Sequence, residues 1–403
     1  MIVRARWLLP IDRPPIENAW VRVERGLITD VGTGAPPERG VLDLGDSAIL
    51  PGLINAHTHL ELSWMGGRIP PKTSTAAWVT ELVALRRGAS PSEDVQRTAA
   101  ADAVGRACST GTVAFGDIGN TLLAADVLAH GGAAAVLFHE VLGFAPHDAN
   151  ARAADAANRV VNGVRPPVRP GLAPHAPYSV SIDLFRAVTR ECVQRHLRSS
   201  VHLAESPQEV ELLQTGRGEL ADVLETLGAW NPAWTAPGIG PAEYLDRLGV
   251  LRPGLLVVHA THLDREGLAL VGARGCTIVS CPRSNQWVGA GVPPIDAFYA
   301  SGAPVAFGTD SLASAPDLNM FAELGAARGL STVPARQLLD SATRVGARAL
   351  GLDAALGTIA AGKRAALVTV TVPAGEPDVE EYLVSGIASS QIRVLQGGQF
   401  SEP

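Results

Sequence analysis

Eight short apolar runs, each ending in polar residues, recur through the middle of the chain, and no other feature limits the possible folds as much. They are ILPGLINAHTHL, GTVAFGDIG, AAAVLFHEVLG, VRPGLAPHAPYS, SSVHLAES, LLVVHATHL, CTIVSCPRSN and PVAFGTDSL. Longer Ala/Leu/Arg-rich stretches with helical periodicity lie between them, a pattern that predicts repeated βα units on a parallel sheet. Eight such units predict an α/β fold closed as a (β/α)8 TIM barrel, whose active site is built where the βα loops converge at the C-terminal strand ends. His57/His59, Asp117, Glu140, His175, His202/Glu205, His259, Arg283/Asn285 and Asp310 all fall at the ends of their runs. A random scatter of polar residues would not do this.

The flanks read differently. MIVRARWLLP, AWVRVERGLITDVG and VLDLGDSAIL are short strands with turns, and GTIAAGKRAALVTVTV and IRVLQGGQ return to strand character. The simplest architecture lets both termini complete one small β-sandwich domain, 1–53 and 356–403, with the barrel, 54–355, inserted between them. A chain of 403 residues has ample length for this.

Composition closes off other classes. The net charge of −7 and the lack of a local Lys/Arg cluster argue against nucleic-acid binding. Four cysteines, Cys108, Cys192, Cys276 and Cys281, form no CxxC pair and are too few for a disulfide framework, which fits a reducing cytoplasm. The N-terminus has no adequate apolar h-region, and no run is long enough to span a bilayer, so no membrane partner is expected. The expected partner is a small-molecule substrate, and a homodimer stays open.

Along a strand, side chains alternate faces, so His57 and His59 point the same way with Thr58 opposite. Two imidazoles alone do not make a metal site, since zinc or iron needs three or four ligands. If the strand ends share one mouth, His202 from the fifth strand and Asp310 from the eighth complete three nitrogens and one carboxylate oxygen. That set suits one divalent ion, Zn2+ or Fe2+, with a position left for water. Glu205, three residues after His202, is placed to move a proton between that water and a substrate without ligating the metal. His259 is placed to orient or polarise the same water, whereas His262 falls on the loop beyond.

In order and spacing, PGLINAHTHLELS, PHAPYS, HLAES, VVHATHL, CPRSN and GTDS resemble the amidohydrolase superfamily, and more narrowly its branch of one-metal deaminases and chlorohydrolases. The resemblance spans essentially the whole chain. It implies one zinc or iron held by His57, His59, His202 and Asp310, with Glu205 as proton shuttle, His259 as its partner, and His259 with Asp310 steadying the adduct. Two-metal members carry a bridging lysine after strand four; PHAPYS has none, which favours a single metal. In GKRAALV, Ala366 departs from the aspartate usual there. NAHTHLELSW and CPRSN look most like aminodeoxyfutalosine deaminases. That implies hydrolytic release of ammonia from an adenine ring, with His175 against the ring or its sugar and Glu140 on hydroxyl groups. Arg283 is then a candidate for a substrate carboxylate and Trp64 for stacking or lidding the mouth. The rival readings are a chlorohydrolase, a ring-opening cyclic-amide hydrolase, and a barrel that binds a ligand or metal without turnover.

Overall fold

Each of the eight apolar runs becomes a strand buried on both faces, as strands between helices must be. The computed structural model of the protein describes residues 1–37, 40–145, 147–396 and 399–400. Five strands precede the barrel: β1 (Ile2–Leu8), β2 (Ile16–Glu24), β3 (Leu27–Thr33), β4 (Val41–Asp43) and β5 (Ser47–Pro51). The barrel strands are β6 (Leu53–Thr58), β7 (Thr112–Gly119), β8 (Ala134–Val141), β9 (Val168–Pro174), β10 (Arg198–Leu203), β11 (Leu255–His259), β12 (Thr277–Ser280) and β13 (Val305–Phe307). They pair in sequence order and in parallel.

The barrel closes between its last and first strands. Thr58 bridges Asp310 in parallel, and the N–H groups of Thr309 and Asp310 both donate to the carbonyl of His57, at 3.1 and 3.0 Å. Asn55 locks the seam from the side: its amide donates to Thr309 Oγ1 at 2.7 Å and its carbonyl accepts from Thr309 N at 3.1 Å. The approach depends on Gly308, because a Cβ there would lie 2.7 Å from the Cβ of His57. The protein is therefore a (β/α)8 barrel, as the eight runs predict.

The chain then returns through β14 (Leu367–Thr371), β15 (Ile392–Gln396) and β16 (Gln399–Phe400) to the first sheet, where β14 pairs antiparallel with β5. One eight-stranded sheet results, ordered β16-β15-β14-β5-β1-β2-β3 with β4 beside β1. Leu367 and Leu395 from its C-terminal strands share a core with Val3, Val21 and Ile28 from its N-terminal ones. The two termini thus complete one sheet with an apolar core of its own. Ala366 does not disturb the junction, since its buried carbonyl accepts from Gly52 N at 2.9 Å.

Helices cover the barrel, several begun by side-chain caps such as Asp148, Ser181, Ser206 and Asp264. Between β10 and β11 the chain inserts the helices Pro207–Thr215, Glu219–Thr226 and Pro241–Arg247. This insertion and the helix Thr75–Ala89 both contribute to a cavity at the C-terminal strand ends. Among the described residues no helix is long and apolar enough to cross a membrane.

Candidate active site

Three imidazoles meet at the mouth. One ligand atom from each of His57, His59 and His202 lies within 4.8 Å of the others. His59 Nε2 and His202 Nε2 are 3.3 Å apart, and Asp310 Oδ1 lies 3.8 Å from His57 Nε2 and 3.7 Å from His59 Nε2. The tautomer of His202 follows from its neighbour: Nδ1 faces the carbonyl of His175 at 3.0 Å, and a carbonyl only accepts. Nδ1 therefore carries the proton, and the lone pair of Nε2 points at the cluster. Ser284 Oγ donates to Asp310 Oδ2 at 2.6 Å, leaving Oδ1 as the oxygen turned toward the histidines.

The cluster fits one divalent metal ion. His57 is wholly buried and neither of its ring nitrogens has a hydrogen-bond partner, a costly arrangement unless a ligand-seeking cation completes it. Three nitrogens and one carboxylate oxygen are the donors that zinc or ferrous iron takes. Burial and the mutual repulsion of the rings depress the imidazoles, with His59 near 3 and His202 near 4, so all stand neutral and ready to ligate. Burial would raise the Asp310 carboxyl, but the imidazoles facing it, His59 first, and the hydrogen bond from Ser284 outweigh it and bring the group below its ordinary value.

Left-handed backbone recurs at these strand ends, at Ala204 (φ 48°), His259 (φ 70°), Ala260 (φ 55°) and Asp310 (φ 60°). Such conformations cost non-glycine residues energy and persist where the surroundings over-determine them. They turn Glu205, His259 and Asp310 into one space. Glu205 Oε1 stands 3.6 Å from His259 Nε2, and Asn285 contacts His259 Nδ1 at 3.4 Å. Burial pushes the Glu205 carboxyl up to about 7.

Beside this group opens a cavity of about 380 Å3, lined by His59, His202, Glu205, His259 and Asp310 at its inner end. His175 and Glu140 also line it, 3.9 Å apart, as expected of residues on the same mouth. Asn120 donates to Glu140 Oε2 at 2.6 Å, while Glu140 Oε1, the oxygen facing His175, is buried without a hydrogen bond and the carboxyl is pushed up to about 7 by burial. Trp78, Leu82, Phe144 and Leu227 form an apolar outer wall, with the guanidinium-bearing Arg152 at its edge.

Two expectations need correction. Arg283 does not line this cavity: its guanidinium bonds Asp317 Oδ1 at 2.8 Å and sits 3.4 Å from the wholly buried carboxylate of Glu323. A side chain so engaged on the far side of its helix is not available to a substrate carboxylate. Trp64 packs in an apolar cluster with Leu62, Met65, Ile69 and Ala313, under the guanidinium of Arg68, and Trp78 takes the cavity-lining place instead. Sequence reasoning missed Asn120 and Arg152; Asn120 directly follows the run GTVAFGDIG and so carried a signal.

Comparison with known proteins agrees with the geometry. An aminodeoxyfutalosine deaminase of Deinococcus radiodurans is 33% identical over 319 residues, covering 76% of this chain and 74% of that one. A 5-methylthioadenosine/S-adenosylhomocysteine deaminase of Moorella thermoacetica is 28% identical over 417 residues, covering 97% and 91%. Among solved structures, a zinc-bound adenosine deaminase from Xanthomonas campestris superposes with a TM-score of 0.81 at 26% identity, covering 99% and 92%. The aminofutalosine deaminase of Helicobacter pylori in complex with methylthio-coformycin shares the fold over the full length of both chains, with a TM-score of 0.86 at 23% identity. The model of the amidohydrolase family matches residues 48–390, and the chain belongs to that family.

Proposed function

We propose that the protein is a hydrolytic deaminase that uses one metal ion, zinc, to release ammonia from the adenine ring of a modified nucleoside. The observation that supports this reading is that Glu205 and His259, 3.6 Å apart, line the same inner end of the cavity as His59, His202 and Asp310. His57, His59, His202 and Asp310 hold the ion. When bound there, a divalent ion supplies Lewis acidity that brings the pKa of a water molecule toward neutrality.

Glu205 takes a proton from the attacking water and passes it to the ring nitrogen as the oxygen joins the amino-bearing carbon. His259 donates toward that oxygen and Asp310 accepts from it, steadying the adduct. Glu205 then moves the remaining proton of the hydroxyl to the amino group, which departs as ammonia and leaves a carbonyl on an intact ring. His175 packs against the ring or its sugar, and the free Oε1 of Glu140 accepts from sugar hydroxyls. The apolar wall and Arg152 suit a bulky substituent ending in a carboxylate, which favours aminodeoxyfutalosine among the nucleosides processed by the relatives. In domain terms, 54–355 is the catalytic unit and 1–53 with 356–403 its composite companion, and the protein works in the cytoplasm.

The test is ammonia release from the zinc-loaded protein with aminodeoxyfutalosine, methylthioadenosine, S-adenosylhomocysteine, adenosine, guanine and cytosine. The expected result is the highest kcat/KM with aminodeoxyfutalosine. Turnover confined to the free bases, or none with any nucleoside, defeats the reading.

A further inference from the structure

The loop that carries Glu205 is held by a second carboxylate. Glu209 is wholly buried in the first turn of the helix Pro207–Thr215. Its Oε1 accepts from the N–H of Ala204 at 2.9 Å and its Oε2 from the N–H of Glu205 at 3.1 Å. Among the described residues no lysine or arginine pairs with it, so the whole carboxylate is spent on two consecutive main-chain donors.

An ordinary capping box would return the side chain at this helix position to the N–H of the capping residue, here Ser206. Half of that box is present, because Ser206 Oγ accepts from Glu209 N at 3.3 Å. The Glu209 side chain, however, reaches past Ser206 to the two residues before it. Those are Glu205 and Ala204, the latter in the left-handed conformation with φ 48°. Ala204 is gripped on its other side as well, since its carbonyl accepts from His262 N at 2.9 Å. Capping the helix requires neither contact, and both bear on the backbone that carries Glu205.

We propose that Glu209 is a positioning residue for the reaction: by clamping the N–H groups of Ala204 and Glu205 it holds the left-handed turn that presents Glu205 to His259 and the cavity. The proposal rests on the reading of Glu205 as the proton shuttle. Two adjacent N–H donors, each bonded to a different oxygen of one side chain, fix a short segment in direction as well as place. Glutamine keeps the size of the side chain but sets an NH2 group against one of the two N–H donors, so the clamp opens on one side.

The experiment compares Glu209→Gln, Ser206→Ala, Glu205→Gln and the double variant Glu205→Gln/Glu209→Gln in the metal-loaded protein, reading kcat, KM, metal content and Tm. Glu209→Gln is expected to lose about 10²-fold in kcat, the cost of a misplaced reacting group, with KM and metal content near those of the parent. Ser206→Ala removes the helix cap and leaves the clamp, so it is expected to lower Tm and keep kcat. In the Glu205→Gln background, Glu209→Gln is expected to cost nothing more, because its effect runs through Glu205. Unchanged kcat in Glu209→Gln, or an equal further loss on top of Glu205→Gln, overturns the proposal. Should Glu209→Gln not accumulate as folded protein, Glu209→Asp, which draws both oxygens back by one methylene, is read by the same two criteria. A Glu205→Gln variant that keeps full kcat with its clamp intact sinks the shuttle reading itself and takes this proposal with it.

Discussion

Glu205 works at the boundary between a buried and a solvated carboxyl. Its side chain is only 11% exposed, and burial pushes it up to about 7, where a carboxyl gains and loses protons with equal ease near neutral pH. Glutamine in its place keeps the shape but cannot carry a proton. Glu205→Gln is therefore expected to retain its fold and metal and lose on the order of 10²–10⁴-fold in kcat, the usual span for a positioned acid or base. Metal analysis and single-turnover ammonia release check this together. Loss of metal would make Glu205 a ligand and remove Asp310 from the fourth position; full activity with normal metal would give the shuttle role to another group. The grouping of Glu205 with His259 at the cavity was legible because residue type and position at a strand end coincide. Glu209 was not, since a glutamate three residues past a serine reads as a helix cap, and only the fold shows its oxygens reaching two residues further back.

The helix Pro282–Trp287 is the element that ties the site to the segment 317–323. On consecutive residues, Ser284 binds Asp310, Asn285 contacts His259, and Arg283 turns the other way to Asp317 and Glu323. The sequence CPRSN places an arginine at the mouth, but which side of a short helix it occupies depends on the loop 317–319 that comes to meet it. Periodicity carries no information about that loop, and so Arg283 read as a substrate ligand. Arg283→Met should leave substrate selectivity among nucleosides unchanged and lower stability instead. Burial pushes the Glu323 carboxyl up to about 8 while Arg283 pulls it down. A raised carboxyl costs stability as pH climbs from its unfolded value through the folded one, and removing Arg283 extends that loss to higher pH. The deficit of Arg283→Met against the parent, about 1–3 kcal/mol near pH 6.5 from the stranded acceptor, is thus expected to widen above pH 8. Denaturant titrations at pH 6.5 and 9 measure it. A deficit that shrinks with pH, or a rise in KM confined to carboxylate-bearing nucleosides, returns Arg283 to the substrate.

At the scale of the whole molecule, the histidine–aspartate cluster joins parts of the chain that are remote in sequence. His57 and His59 belong to the first barrel strand and its end, His202 to the fifth strand, and Asp310 to the loop that closes the eighth onto the first through the Thr58 bridge. The eight strands and the pairing of the termini were legible because apolar runs of this length can only be buried strands between helices. The outer wall was not, because the insertion after β10 and the helix Thr75–Ala89 meet over the mouth without any local signature of that meeting. A metal at the cluster would crosslink the first, fifth and eighth strands and give one of the two unpartnered buried nitrogens of His57 a partner. Binding to the folded state alone stabilises it by about 4 kcal/mol when free metal stands a thousandfold above Kd. Stripping the ion with a chelator should therefore lower Tm by several degrees, and adding zinc should restore it in step with activity. His57→Ala is expected to start from the lower Tm and to respond far less to added zinc, since one donor from the first strand is gone. A parent protein whose Tm ignores chelator and zinc alike, or a His57→Ala variant that responds as fully as the parent, would place the ion elsewhere or remove its part in holding the barrel together.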